Sequence, residues 1–96
     1  MERILALRKK VDEIDEKILY FLKERMEVCK SIGAIKRECG IPTRDYQREN
    51  EVRSHAVRKA SELELDPQDV KAIYKEIIAM SVHVQEYNKK ARVSMS

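Results

Sequence analysis

The apolar residues of the first third of the chain keep a regular beat. They fall at Ile4, Leu7, Val11, Ile14, Ile18 and Phe21, and resume at Val28, Ile32 and Ile35. Alternating steps of three and four lay them along one side of an α-helix. The pattern runs through Lys36 and is stopped by Gly40 and Pro42. Roughly 34 residues, each rising ~1.5 Å, make a helix about 50 Å long. A compact globule of this chain length has a diameter near ~30 Å. The first helix therefore outgrows a compact monomer and requires a partner, most simply a second copy of the chain.

Two further helices are predicted. The second begins near Thr43 to Asp45, with Thr43 as its cap, and runs to about Glu62. Glu49, Val52, Ala56 and Ala60 share one of its faces. The stretch ELELDPQ breaks it. Asp66 then caps a third helix that has Pro67 at its first position. Val70, Ile73, Tyr74, Ile77, Ser81, Val84 and Tyr87 mark the inner face of that helix. The expected domain covers 1–90, and the tail 91–96, ARVSMS, carries no pattern and is expected to fray. The fold class is all-α, with three helices and a very long first one.

Each helix breaks its own pattern with polar residues. The beat of the first helix demands an apolar residue at position 25, and the chain has Arg25. Lys36 follows three turns later at nearly the same angle. A buried cation without an anion is costly, so something negative must meet this pair. In the second helix Asp45, Arg48 and Glu49 stand three and four apart, on the side of Val52. In the third, Ser81 and Gln85 lie on the face that Ile77 and Ile78 mark as inner. Each has a bland explanation alone. Arg25 could snorkel, Ser81 could bond its own helix, Gln85 could set a register, and Arg48 could pair with Glu49. Three helices departing in the same way point instead to one shared polar site.

Composition narrows what such a site does. Of the 96 residues 39% are charged, yet the net charge is only +3 and no basic block suggests nucleic acid. Most charges, such as Glu13 and Glu16 near Lys17, read as solvated helix faces. Cys29 and Cys39 fit neither a zinc site nor a disulfide framework and read as free thiols of a cytoplasmic protein. No apolar run suits a signal peptide or a membrane span. His55 and His83 fall away from the polar faces, so no Ser or Cys has a His partner. No metal and no cofactor are expected. Arg25 and Lys36 suit carboxylates, Glu49 suits a hydroxyl, and Gln85 with Lys36 can donate to an ether or carbonyl oxygen. The expected chemistry is electrostatic positioning of a small dianion.

The segments LALRKKVDEIDEKIL, LKERM, GAIK, RDYQRE and IIAMSVHVQ occur in that order and span nearly the whole chain. The ordered series resembles the all-helical class of chorismate mutases. The resemblance implies an intertwined, antiparallel homodimer with two sites, rearranging chorismate to prephenate on the route to phenylalanine and tyrosine. It implies that Arg8 reaches the partner's site and binds a carboxylate, and that Arg25 binds a carboxylate in its own subunit's site. Lys36 and Gln85 are implied donors to the ether oxygen, and Glu49 the acceptor of the substrate hydroxyl. Asp45 is implied to help through its backbone, Arg48 to support the anionic groups, and Ser81 to contact a carboxylate. Arg44 has no implied role, and a surface ion pair is expected for it. An isochorismate-pyruvate lyase and a non-catalytic helical dimer are the competing readings. The pairing of Glu49 with Gln85 argues against the lyase. Free-standing action, rather than service as part of a longer fused enzyme, is the expectation.

Overall fold

The computed structural model describes the backbone through Met95 and side chains through Glu86. It contains α1 (Glu2–Cys39), α2 (Tyr46–Glu62) and α3 (Pro67–Met95). Helix α3 packs on both of the others. The expected inner residue Tyr87 and the expected frayed tail 91–96 lie outside the described side chains.

The helix ends follow from local chemistry. Helix α1 continues past the last residue of the apolar pattern, Lys36, to Cys39, and breaks at Gly40 as expected. Gly40 adopts a left-handed conformation, φ 66° and ψ 27°. That turn lets the Ile41 N–H donate to the Lys36 carbonyl at 2.8 Å and ends the helix with its last carbonyls satisfied. The expected Thr43 cap is replaced by Asp45, whose Oδ1 accepts from the Arg48 N–H at 3.0 Å. Asp45 sits in extended backbone directly before Tyr46, where a cap must be, and Thr43 is two residues too early. Asp66 caps α3 as expected, accepting from the Gln68 and Asp69 N–H groups at 2.8 and 3.3 Å.

The long apolar beat of α1 does not face the chain's own core. Its members, from Ile4 to Ile35, are between 42% and 67% exposed. The side of α1 that meets α3 is marked instead by Leu22, Arg25, Met26, Cys29, Gly33, Lys36 and Arg37. The mean direction of this side is turned around the helix by roughly 70° from that of the apolar beat, and the two overlap at Arg25 and at the cleft-lining Ile32. All of residues 1–21 are exposed. The chain is correspondingly elongated. Its extents are 57 × 30 × 15 Å. Its radius of gyration is 17.1 Å, where a compact chain of this length has about 12 Å.

The core within one chain is thin. The buried apolar residues are Met26, Ala56, Ala60 and Ile78. Ala56 and Ala60 are small, so α2 can come close to α3 at that end. Two of the remaining buried side chains, Ser81 and Gln85, are polar. Residues that depart from the apolar pattern are therefore buried about as well as the apolar core itself. Among the described residues, no helix is long and apolar enough to cross a membrane.

Candidate active site

Arg25, Lys36, Asp45, Arg48, Glu49, Ser81 and Gln85 all line one cleft among the three helices and the α1–α2 loop. Thr43, Cys29, Ile32, Val52, Ile78 and Val82 complete its wall. Seven of the eight expected site residues are thus brought together by one chain. The eighth, Arg8, lies far up the exposed half of α1. It precedes Arg25 by seventeen residues, a helical rise of ~25 Å. His55 and His83 are exposed and take no part in the lining.

The two cations of α1 are met by dipoles rather than by anions. Arg25 Nη1 donates to Ser81 Oγ and also lies 4.0 Å from Cys29 Sγ. The Ser81 hydroxyl donates its own hydrogen bond to the Ile77 carbonyl at 2.8 Å. Ser81 therefore anchors the guanidinium, and its proton is directed into its own helix. Lys36 Nζ donates to the Thr43 carbonyl at 2.8 Å and to Gln85 Oε1 at 3.2 Å. An ammonium has three N–H groups, so one is left for a ligand. Gln85 Nε2 uses one of its two N–H groups on the Ser81 carbonyl, at 3.1 Å. Lys36 and Gln85 thus each retain a donor at the same end of the cleft, and among the described residues no carboxylate pairs with the lysine.

The opposite wall is built by the start of α2. Among the described residues Arg48 pairs with Glu51, an i,i+3 contact at 3.4 Å, and its side chain is 69% exposed. Such a pair contributes ~0.5 kcal/mol or less and gives way readily to a bound anion. The Glu49 side chain is only 11% exposed. Both of its oxygens are taken by Arg44, at 2.9 and 2.7 Å. Hydrogen bonding to Glu49 raises the Arg44 guanidinium above its usual pKa, against an opposing desolvation effect, with the Glu49 charge adding a smaller upward push. The Asp45 carboxylate is occupied in capping α2.

Two residues that pattern reading passed over set the geometry of Gln85. Gly33 faces it directly: a Cβ there would lie 2.9 Å from Gln85 Cγ and 3.3 Å from its Cα. Only glycine lets α1 and α3 approach this closely without moving the α3 backbone. Arg37, one turn further on, donates to the Gln85 carbonyl at 3.3 Å, while its Nε is buried without a partner. The signal for Gly33 was present in GAIK, as a glycine inside a helix at a cost of ~1 kcal/mol relative to alanine. The apolar beat hid it, because Gly33 lies off that stripe.

Fold and site together define an all-helical domain built around a cation-bearing cleft. Residues 7–86 match the family "chorismate mutase type II", and the chain belongs to that family. A bifunctional chorismate mutase/prephenate dehydratase from Aquifex aeolicus is 36% identical over 89 residues, which is 90% of this chain and 25% of that protein. A chorismate mutase from Methanocaldococcus jannaschii is 45% identical over 49 residues, 51% of this chain and 50% of that protein. A solved structure, a conserved hypothetical protein from Pyrococcus furiosus, superposes with a TM-score of 0.70 at 34% identity, covering 88% of this chain and 97% of that one. The chain spans from about a quarter to a half of the length of these two curated relatives.

The Gly33 contact generates a test. Gly33→Ala should leave helix content unchanged by circular dichroism, since alanine favours the helix. It should reduce the rate of the family's mutase reaction by ~10-fold or more, because the new methyl group displaces Gln85 from its place beside Lys36. An unchanged rate would show that α3 yields without moving the amide.

Proposed function

We propose that the protein is a chorismate mutase that converts chorismate to prephenate, on the route to phenylalanine and tyrosine, and that it works as a homodimer. The observation that carries the reading is the meeting of Arg25, Lys36, Arg48, Glu49 and Gln85 in a single cleft. Chorismate presents two carboxylates, a ring hydroxyl and an enol ether oxygen. The cleft has a matching group for each. Arg25, held by Ser81, and the loosely paired Arg48 take carboxylates. The remaining N–H groups of Lys36 and Gln85 take the ether oxygen. Glu49 takes the hydroxyl, with the Asp45 backbone beside it.

The rearrangement breaks one carbon–oxygen bond and forms one carbon–carbon bond in a single cyclic shift of electrons. No proton enters or leaves, so the residues have two tasks. They fold the enolpyruvyl side chain over the ring, which brings the bonding carbons together. They also stabilise the negative charge that grows on the ether oxygen as its bond to the ring lengthens. The Lys36 ammonium already points at this end of the cleft and needs little reorganisation to meet that charge.

The exposed apolar beat of α1 supports the homodimer. A continuous apolar stripe of this length is unusual on a solitary soluble domain and marks an interface. Two antiparallel copies of α1 would cover each other's stripes and bring Arg8 of each chain toward the cleft of the other. The free thiols of Cys29 and Cys39 fit a reducing cytoplasm.

Purified protein added to chorismate should deplete its ultraviolet absorbance and yield prephenate. Intact chorismate after prolonged incubation, or release of pyruvate in its place, would overturn the reading. Lys36→Ala should lower kcat by ~10²-fold or more, as loss of a transition-state donor does. A raised KM with normal kcat would remove Lys36 from that role.

Arg8 gives the sharpest test of the shared site. Arg8→Ala and Arg25→Ala chains, each nearly inactive alone, are unfolded together and refolded. Every mixed dimer then holds one site with both arginines and one with neither. Random pairing should restore about a quarter of wild-type activity. Heterodimers confirmed by mass but without any gain would exclude Arg8 from the site.

A further inference from the structure

Arg44 lies in the α1–α2 loop, and its side chain is 43% exposed. Position and exposure suggest a surface ion pair of little consequence. Three observations set it apart. Its partner is a nearly buried acid of the cleft, Glu49. Its guanidinium uses two N–H groups on the two oxygens of that acid, which fixes the plane of the carboxylate as a single contact cannot. Its other side is supported: the guanidinium carbon stands 4.6 Å from the centroid of the Tyr46 ring.

The backbone carrying Arg44 is also held on both sides. The Thr43 carbonyl before it is bound by Lys36 at 2.8 Å. Asp45 after it is fixed by capping α2. Arg44 therefore projects from a short segment tied to α1 at one end and to α2 at the other. The contact to Glu49 bridges five positions, over the first turn of α2.

We propose that Arg44, supported by Tyr46, is a positioning residue that orients the Glu49 carboxylate for the substrate hydroxyl. The inference rests on the mutase reading and deepens it. An ionised carboxylate has about four acceptor sites, and the guanidinium occupies two of them. The rest stay open to a hydroxyl, in a direction set by Arg44. Without Arg44 the Glu49 side chain keeps its charge carrier but loses its fixed plane, and a glutamate with three free torsions samples several. Arg44 touches no substrate atom in this scheme and acts only through Glu49.

A double-mutant cycle isolates this route. Arg44→Ala should lower kcat/KM by ~10-fold in the wild-type background, in keeping with a misplaced contact group. In the Glu49→Ala background the same change should alter kcat/KM by less than about twofold, since there is no carboxylate left to orient. Arg44→Lys, which keeps the charge but not the two-pronged contact, should fall between wild type and Arg44→Ala. Circular dichroism and thermal unfolding of all variants show whether each folds. Equal losses in both backgrounds would overturn the proposal, because Arg44 would then act on the substrate or on the fold directly. Full activity of Arg44→Ala would overturn it as well. Absence of mutase activity in the wild-type protein itself would overturn the functional reading, and this inference with it.

Discussion

The structure depends on two cations placed on the inner side of a long helix. Arg25 and Lys36 reach across to α3, and their partners there are the two buried polar side chains, Ser81 and Gln85. These contacts fix the relation of α1 to α3 in a chain whose apolar core is only a few residues. Among the described residues, neither cation is paired with a carboxylate. A hydroxyl and an amide satisfy the hydrogen-bonding geometry of a guanidinium and an ammonium, but they do not cancel the charge. The same residues therefore hold the helices together and keep the cleft short of negative charge. The proposed dianionic substrate would supply that charge, and its binding should tighten the packing of α1 on α3 by mass action.

The two sides of α1 divide the work. One side carries the cleft residues and Gly33, where α3 comes within contact of the backbone. The other carries the apolar beat that the single chain leaves uncovered. A helix that buries different sides against different partners cannot be moved on one without disturbing the other. Association through the apolar stripe would then fix α1 as a straight strut, and the cleft built on its second half would inherit that rigidity. Small thermal changes in the angle of α1 would otherwise shift Lys36 relative to Gln85, and the chemistry depends on that distance.

Much of this was legible in the sequence. The three helices, the Asp66 cap and the length of α1 follow from spacing and from the placement of Gly and Pro. The polar residues Arg25, Lys36, Glu49, Ser81 and Gln85 stood out because each interrupts an apolar pattern. The direction in which α1 faces its own chain was not legible. Periodicity finds the most apolar side of a helix, and here that side is not the one that meets α3. The Thr43 cap failed because Thr43 and Asp45 are both good caps, and only the backbone entry into Tyr46 decides between them. Gly33 and Arg37 escaped notice, and Arg44 was expected to make an ion pair but without its partner Glu49, for a common reason. Their roles lie in contacts with one particular residue on another element, and no periodic pattern encodes such a contact.

The segment RDYQRE shows how closely packed the assignments are. Asp45 caps α2, Arg48 offers a weakly held cation, and Glu49 presents an acceptor held by Arg44 over Tyr46. Six consecutive residues thus supply a helix start, an exposed cation and a carboxylate bound on both oxygens. The capping bond makes this economical. It fixes the first turn of α2, and a fixed first turn places positions 48 and 49 relative to the loop that Lys36 holds through Thr43. Lys36 therefore reaches both walls of the cleft at once, α3 through Gln85 and the α2 wall through the loop. If the ammonium had no N–H to spare, a ligand that drew it toward an ether oxygen would loosen one or both of these ties, and the electrostatic and structural roles of Lys36 would compete. The third N–H of the ammonium is what allows it to meet the ligand without giving up either.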